Sequence, residues 1–197
     1  MKYTPYGIGG REMSIKADVQ LDAKGLACPM PIVKTKKAMK DLTEGQVLEV
    51  VATDKGSKAD LAAWAESAGH QYIGTKEEDG GFIHYIRKGG GDNEADKPFE
   101  QTVTNEDLTT CEGIILDVRE EAEYAFGHVP QALSIPLGEL DGRMSELDPD
   151  QEIYVICRTG RRSELAAHKL AENGFKKVYN VLPGMKDWKG NLIKDIN

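Results

Sequence analysis

The stretch Ile153-Tyr154-Val155-Ile156-Cys157-Arg158-Thr159-Gly160-Arg161-Arg162-Ser163 decides how this chain is read. Its first four residues are apolar and rich in β-branched side chains, the mark of a short buried strand. Ser163 to Glu172 reads as a helix. One thiol therefore stands where a strand ends and a helix begins, with three arginines and a glycine around it. A helix start presents unpaired backbone N–H groups and the positive end of the peptide dipole. Successive N–H groups in a tight turn form a nest for anions. Cys157 is expected to be a nucleophilic thiolate over a cradle for an oxyanionic substrate, with Gly160 supplying the backbone freedom of the turn.

Two anion chemistries fit such a cradle. A cysteine phosphatase or arsenate reductase places five residues between the nucleophile and the arginine that closes the loop. Here that slot is Ser163, and the arginine arrives one residue early, at Arg162. The tighter loop better suits a small sulfur species. Cys-Arg-x-Gly-x-Arg-Ser resembles the active loop of single-domain rhodaneses, the sulfurtransferases. Leu116-Asp117-Val118-Arg119, Glu123-Tyr124, Gly127-His128-Val129-Pro130-Gln131-Ala132 and Ile135-Pro136 follow the same family pattern in order. So does Pro183-Gly184-Met185-Lys186-Asp187-Trp188, with Pro183 where many relatives have glycine. The resemblance covers Phe99 to Asn197. It implies a persulfide on Cys157 and a substrate-binding loop of Arg158, Thr159, Gly160, Arg161 and Arg162. Arg161 is the one most simply read as surface charge.

A second cysteine lies near the other end, in Leu21-Asp22-Ala23-Lys24-Gly25-Leu26-Ala27-Cys28-Pro29-Met30-Pro31. Ile32, Thr35, Lys36 and Met39 then follow helical spacing. Proline is welcome in a helix's first turn, so Pro29 and Pro31 place Cys28 at or just before a helix start. The dipole and Lys34, Lys36 and Lys37 are expected to favour thiolate. No histidine or carboxylate adjoins Cys28 in sequence, which suits a carrier thiol. Leu-Asp-x-x-Gly-Leu-x-Cys-Pro-x-Pro resembles the TusA-type (SirA-like) sulfur carriers, from about Ile15 to Lys88. That resemblance implies that Cys28 holds a persulfide and hands its sulfur on. Some relatives carry another cysteine near Ala65; here Cys28 has no resolving partner inside its own unit.

The chain has 197 residues, 40% of them hydrophobic and 29% charged, as in ordinary soluble proteins. No apolar run approaches the ~20 residues that span a bilayer, and Met1 to Gly10 lacks the pattern of a signal peptide. Three widely spaced cysteines make neither a disulfide framework nor a zinc site. A reducing cytoplasm is the expected home, with no membrane partner and no metal or organic cofactor. Gly9-Gly10-Arg11-Glu12 before Met13 has the spacing of a translated ribosome-binding site, so Met13 is the expected native start.

Charge divides unevenly. Residues 1–91 hold 13 Lys+Arg against 12 Asp+Glu, and residues 92–197 hold 12 against 21. An acidic second half without a broad basic surface argues against direct nucleic-acid binding. The lysines from Lys34 to Lys40 read as a solvated helix face, with a docking patch for an acidic partner as the alternative.

Three parts are expected: a carrier unit over residues 13–88, a flexible linker over 89–98 rich in glycine and acids, and a sulfurtransferase unit over 99–197. A nine-residue coil spans roughly 15–18 Å, enough to hold one thiol at about millimolar effective concentration near the other. The fold class is α/β throughout. The first unit reads as a two-layer β-α-β-α-β-β sandwich with strands Ile15–Leu21, Gln46–Ala52, His70–Lys76 and Phe82–Arg87, and helices Pro29–Met39 and Ser57–Ser67. Asp79-Gly80-Gly81 is hairpin punctuation. The second is read as a rhodanese-like α/β unit with a central parallel sheet of strands Ile114–Leu116, Leu133–Ile135, Ile153–Ile156 and Val178–Asn180, the active loop at a carboxyl strand end.

Among weaker candidates, Asp117 is expected to orient the active loop and Arg119 to pair with Glu123, four residues on, along a helix face. Cys111 reads as a small apolar filler, His128 as the family's structural histidine, and Trp64 and Trp188 as core or interface anchors. The expected reaction is covalent transfer of sulfane sulfur from thiosulfate or a low-molecular-weight persulfide to Cys157, then to thiol acceptors that include Cys28 and downstream sulfur-accepting proteins. A non-enzymatic persulfide sensor or adaptor is the alternative. Oligomeric state is left open.

Overall fold

A computed structural model describes residues 15–90 and 97–196; the expectation that Met13 is the start lies outside them. The first unit runs β1 (Val19–Ala23), α1 (Met30–Asp41), β2 (Val47–Ala52), α2 (Ser57–Ser67), β3 (Gln71–Glu78) and β4 (Gly81–Arg87). Its sheet has the order β1-β2-β4-β3, with β1 parallel to β2 and β4 antiparallel to both neighbours. Both helices lie on one face: Met39 and Leu42, and Leu61 and Ala65, close over Leu48, Val50 and Ile86. The β3–β4 hairpin turns through Asp79 and Gly80, both at positive φ (50° and 73°). Those are the backbone angles that Asp-Gly pairs supply to tight hairpins.

β1 differs from the expected Ile15–Leu21. Pairing with β2 starts at Val19 and runs to Ala23. Ile15 and Ala17 keep their alternation, but they pack against the second unit instead of extending the ladder.

The second unit runs β5 (Thr102–Thr104), β6 (Ile114–Asp117), α3 (Glu121–Phe126), β7 (Leu133–Ser134), α4 (Leu140–Arg143), β8 (Ile153–Ile156), α5 (Arg161–Glu172) and β9 (Val178–Leu182). Its five strands pair in parallel in the order β5-β9-β8-β6-β7. Leu116, Val155 and Val178 from the sheet meet Ala166, Ala167 and Leu170 of α5 in the core. β5, α3 and α4 are elements to which the sequence reading gave no bounds. β5 is three residues long, too short to show a period. α3 is six residues long and begins at a reciprocal cap, in which Glu120 and Glu123 bond each other's backbone N–H.

The second unit covers the sheet face of the first that carries no helices. Val47 and Tyr85 there pack with Ala122 and Ala125 of α3, joined by Ile73, Ile83 and Phe126. This gives β2 an apolar neighbour on both sides, in keeping with the near-continuous apolar run Val47-Leu48-Glu49-Val50-Val51-Ala52. At Gly74 of β3 the backbone runs close under the Phe126 ring, and an added Cβ would stand 2.4 Å from it. Past β4, the Gly89 N–H donates to His70 Nδ1 (3.0 Å). The chain is described again from Lys97, whose carbonyl accepts a hydrogen bond from His168 of α5 (2.7 Å). Most of the expected linker, residues 91–96, lies outside the described residues. Among the described residues, no helix is long and apolar enough to cross a membrane.

Gly74→Ala should drive Phe126 off β3 and loosen the docking of the two units. Small-angle scattering should show a larger radius of gyration, with far-UV circular dichroism unchanged; an unaltered radius would show that the ring is accommodated.

Candidate functional site

Cys157 directly follows β8 and is buried (1% exposed). The turn Arg158-Thr159-Gly160 lifts the chain into α5, and Gly160, its N-cap, has φ 93°. A side chain there would be strained by its backbone angle and would also meet Leu182 at 2.2 Å. The turn aims the Gly160 N–H at Cys157 Sγ (3.1 Å), and the Ser163 hydroxyl lies 3.3 Å from the same sulfur. Ser163 Oγ also lies 3.0 Å from the Gly160 carbonyl and 2.6 Å from Asn180 Oδ1. From above, Met185 N–H donates to the Cys157 carbonyl (2.8 Å) and Lys186 N–H to that of Arg158 (2.9 Å). Gly184 makes this approach possible, because a Cβ there would meet the Cys157 carbonyl at 2.6 Å. Arg158, Thr159 and Arg161 are exposed at the mouth of the loop.

Arg162 departs from the expected loop role. It is buried (3% exposed), and its guanidinium clamps Glu123 of α3 with two bonds of 2.6 and 3.0 Å. Burial by itself would raise the Glu123 carboxyl, but the Arg162 charge and hydrogen bonds overcome it and hold the group well below the usual carboxylate range. Glu123 also accepts from Gln71 of β3 (3.0 Å) and from the Glu120 N–H (3.0 Å).

The expected Arg119–Glu123 pair is absent, since both residues have other partners. Arg119 folds back on the buried Asp117, with Nη2 at 2.6 Å and Nε at 3.0 Å, and donates to the Gly127 carbonyl (2.8 Å). Asp117 thus holds Arg119, not the active loop. The two residues precede the α3 cap, so sequence spacing alone suggested a helical pair that the extended backbone at Glu120 prevents. His128 stacks on Tyr124 (3.7 Å between ring centres), with Nδ1 3.0 Å from the Tyr124 carbonyl, as suits a structural group. Cys111 packs with Leu108, Ile115 and Trp188.

Cys28 is exposed, two residues ahead of α1, where Pro29 caps the helix and Pro31 sits in its first turn. Its surroundings run against the expected preference for thiolate. α2 brings Asp60 into hydrogen-bonding contact with the thiol, and this, with the charges of Asp60 and Asp54, raises Cys28 above the ordinary thiol range. The exposed lysines of α1 stand farther along the helix, in water that screens them. Sequence separation hid Asp60, 32 residues from Cys28. Asn180 was visible as a polar residue inside the apolar run Val178-Tyr179-Asn180-Val181-Leu182.

The two thiols are not brought together. Cys28 lies beyond the carboxyl ends of β1 and β2, in the loop where the Gly25 N–H donates to Thr53 Oγ1 (2.9 Å). Arg162, in the first turn after the Cys157 loop, shares a cleft of about 740 Å³ with Gly45, Gln46 and Arg87 at the opposite end of that sheet. The six residues of β2 separate the two ends by roughly 17 Å.

A carrier unit with an exposed thiol, followed by a parallel-sheet unit with a cysteine loop, defines a class of sulfur-transfer protein. The family model described as Sulfurtransferase TusA matches residues 19–88, and that described as Rhodanese-like domain matches residues 100–191. The chain belongs to the family of two-part TusA–rhodanese proteins that includes "Putative sulfur carrier protein YrkF" of Bacillus subtilis (strain 168), to which it is 54% identical over 185 residues, 89% of this chain and 98% of that one. The "Sulfur carrier protein TusA" of Allochromatium vinosum is 46% identical over 71 residues, 36% of this chain and 93% of that one. Among solved structures, a rhodanese-related protein from Thermoplasma volcanium is 28% identical, covering 47% of this chain and 97% of that one at a TM-score of 0.45.

Two substitutions separate the roles of these groups. Asp60→Asn should lower the pH at which Cys28 is alkylated, since the carboxylate that favours the thiol is gone; an unmoved pH profile would clear Asp60 of control. Arg162→Ala leaves Glu123 buried without its main partner and should cost about 3–5 kcal/mol of stability by chemical denaturation. A loss below ~0.5 kcal/mol, the usual range for a surface change, would show that the pair is not structural.

Proposed function

We propose that Cys157 takes sulfane sulfur from thiosulfate or a low-molecular-weight persulfide and relays it to thiol acceptors, with Cys28 as the carrier thiol. The observation that carries this reading is the convergence of the Gly160 N–H and the Ser163 hydroxyl on Cys157 Sγ, at a loop whose mouth carries Arg158 and Arg161.

The Cys157 thiolate attacks the outer sulfur of thiosulfate. A new S–S bond forms, the old one breaks, and its electron pair leaves on sulfite. Arg158 and Arg161 attract the anionic donor, and charge-assisted contacts of that kind are the stronger hydrogen bonds. A second thiolate then attacks the outer sulfur, and the pair returns to Cys157. Splitting one transfer into two is the usual gain from a covalent nucleophile. For Cys28 to act as that second thiol its proton must leave, and its exposure lets the proton pass to water. Met30 and Val33, exposed beside the carrier thiol, suit an acceptor that is itself a protein. With Cys28 at one end of the first sheet and Arg162, five residues past Cys157, at the other, Cys157 reaches Cys28 in a second chain or after the units undock.

Thiosulfate turnover tests the reading. Cys157→Ser should be inactive, Cys28→Ser should keep turnover with cyanide, and Arg158→Ala should lose about 10- to 100-fold in kcat/KM, the worth of a hydrogen bond to a charged group. After loading with thiosulfate, intact mass should show an added sulfur on Cys28 only where an active Cys157 is present. A mixture of the two cysteine variants should regain that label in proportion to protein concentration. Sulfur on Cys28 of the Cys157→Ser variant alone would overturn the relay.

A further inference from the structure

Ser163 has one hydroxyl proton and three acceptors within reach. They are Cys157 Sγ at 3.3 Å, the Gly160 carbonyl at 3.0 Å and Asn180 Oδ1 at 2.6 Å. Ser163 is fully buried and Asn180 is 2% exposed, so water does not mediate among them. The orientation of the Asn180 amide follows from its other contact. The Gly160 carbonyl can only accept, so the Asn180 atom 3.3 Å from it is the donor Nδ2. That leaves Oδ1 facing Ser163, and an amide oxygen can only accept as well. The Ser163 proton is therefore drawn to Asn180, the shortest of its three contacts, and Ser163 turns a lone pair towards the sulfur. This arrangement suits a protonated Cys157, whose S–H can donate to Ser163. An ionised Cys157 requires the reverse, with the Ser163 proton turned to the sulfur.

We propose that Asn180 is a positioning residue that competes with Cys157 for the Ser163 proton and thereby governs how readily the thiol at 157 ionises during sulfur transfer. It rests on the sulfur-transfer reading of Cys157 and adds a residue that does not touch the sulfur. As Cys157 ionises, its proton passes to solvent. The Ser163 hydroxyl rotates with its O–H bond intact, exchanging the bond to Asn180 for one to Sγ. When sulfane sulfur is captured, the negative charge moves to the outer sulfur and Ser163 returns to Asn180. Gly160 N–H stays on the sulfur in both states. The charged groups on the surrounding elements are Arg158, Arg161 and Arg162 on the loop and α5, Asp117 at the end of β6 and Arg119 just beyond it, Glu123 of α3, and Lys186 after β9. None of them is altered by a change at 180 or 163.

The test is the pH profile of iodoacetamide alkylation at position 157 in the full-length chain, read by peptide mass in a Cys28→Ser background. Asn180→Leu frees the Ser163 proton for the sulfur and should shift the midpoint down by about one pH unit. Ser163→Ala should shift it up, and Asn180→Leu added to Ser163→Ala should produce no further downward shift. A midpoint that stays or rises in Asn180→Leu, or a fall that persists without Ser163, overturns the proposal. A second measurement needs no substitution: in the 15N-labelled wild-type chain, the Asn180 side-chain amide resonances should titrate with the alkylation midpoint. Resonances that stay fixed through it overturn the proposal as well. Thiosulfate loading of the same wild-type sample, followed by mass, separates the two ideas: failure to add sulfur at 157 sinks the sulfur-transfer reading, while the titration decides the role of Asn180.

Discussion

One buried carboxylate joins the two halves of this molecule. Glu123 accepts from Arg162 at the start of α5, from Gln71 on the first unit's sheet and from the backbone at its own helix cap. A lone charge in that position would be costly, because burial favours the neutral acid. The guanidinium reverses the balance and keeps it ionised. A group held down in this way contributes its full stability above the ordinary carboxylate range and loses it as the pH falls from that range towards the group's own depressed value. The helix behind the active loop, the cap of α3 and the edge of the carrier sheet are thus positioned by a single acid. Removing it disturbs all three at once.

The nucleophile and the carrier thiol are built on opposite principles. Cys157 is enclosed, with a backbone N–H aimed at its sulfur and the Ser163 oxygen 3.3 Å from it. Cys28 is exposed, and its polar neighbour is a carboxylate that favours the protonated form. A thiol that is slow to ionise is a poor attacker but resists adventitious chemistry while it waits for a partner. Arginine at the 162 position, which motif reading places over the substrate, instead braces the scaffold.

Much of the architecture was legible from local pattern. The β8 run Ile153–Ile156 is legible to the residue as an apolar run between polar neighbours, and the α2 span Ser57–Ser67 as a stretch bounded by Gly56 and Gly69. The Asp79-Gly80 hairpin followed from turn chemistry alone. What escaped was what depends on distant parts of the chain. α3 is too short to show a period, and its purpose is tertiary: it fills the open face of the other sheet. Asp60 beside Cys28, and the choice of partners by Arg119 and Arg162, were set by packing that sequence spacing does not encode. The early start expected for β1 came from real alternation at Ile15 and Ala17 that serves the contact between units.

The placement of Cys28 also bears on how the protein behaves in oxygen. With no cysteine at position 65 and the other two thiols in the second unit, one of them buried and the other half-buried, this sulfur has no partner at hand within its own fold with which to close a ring. Exposed thiolates oxidise by finding another accessible sulfur. For this chain the accessible one belongs to a second copy, so whatever slow oxidation the protonated Cys28 undergoes in air is directed to a symmetric dimer bridged at Cys28, reversible by dithiothreitol, and away from the enclosed thiol.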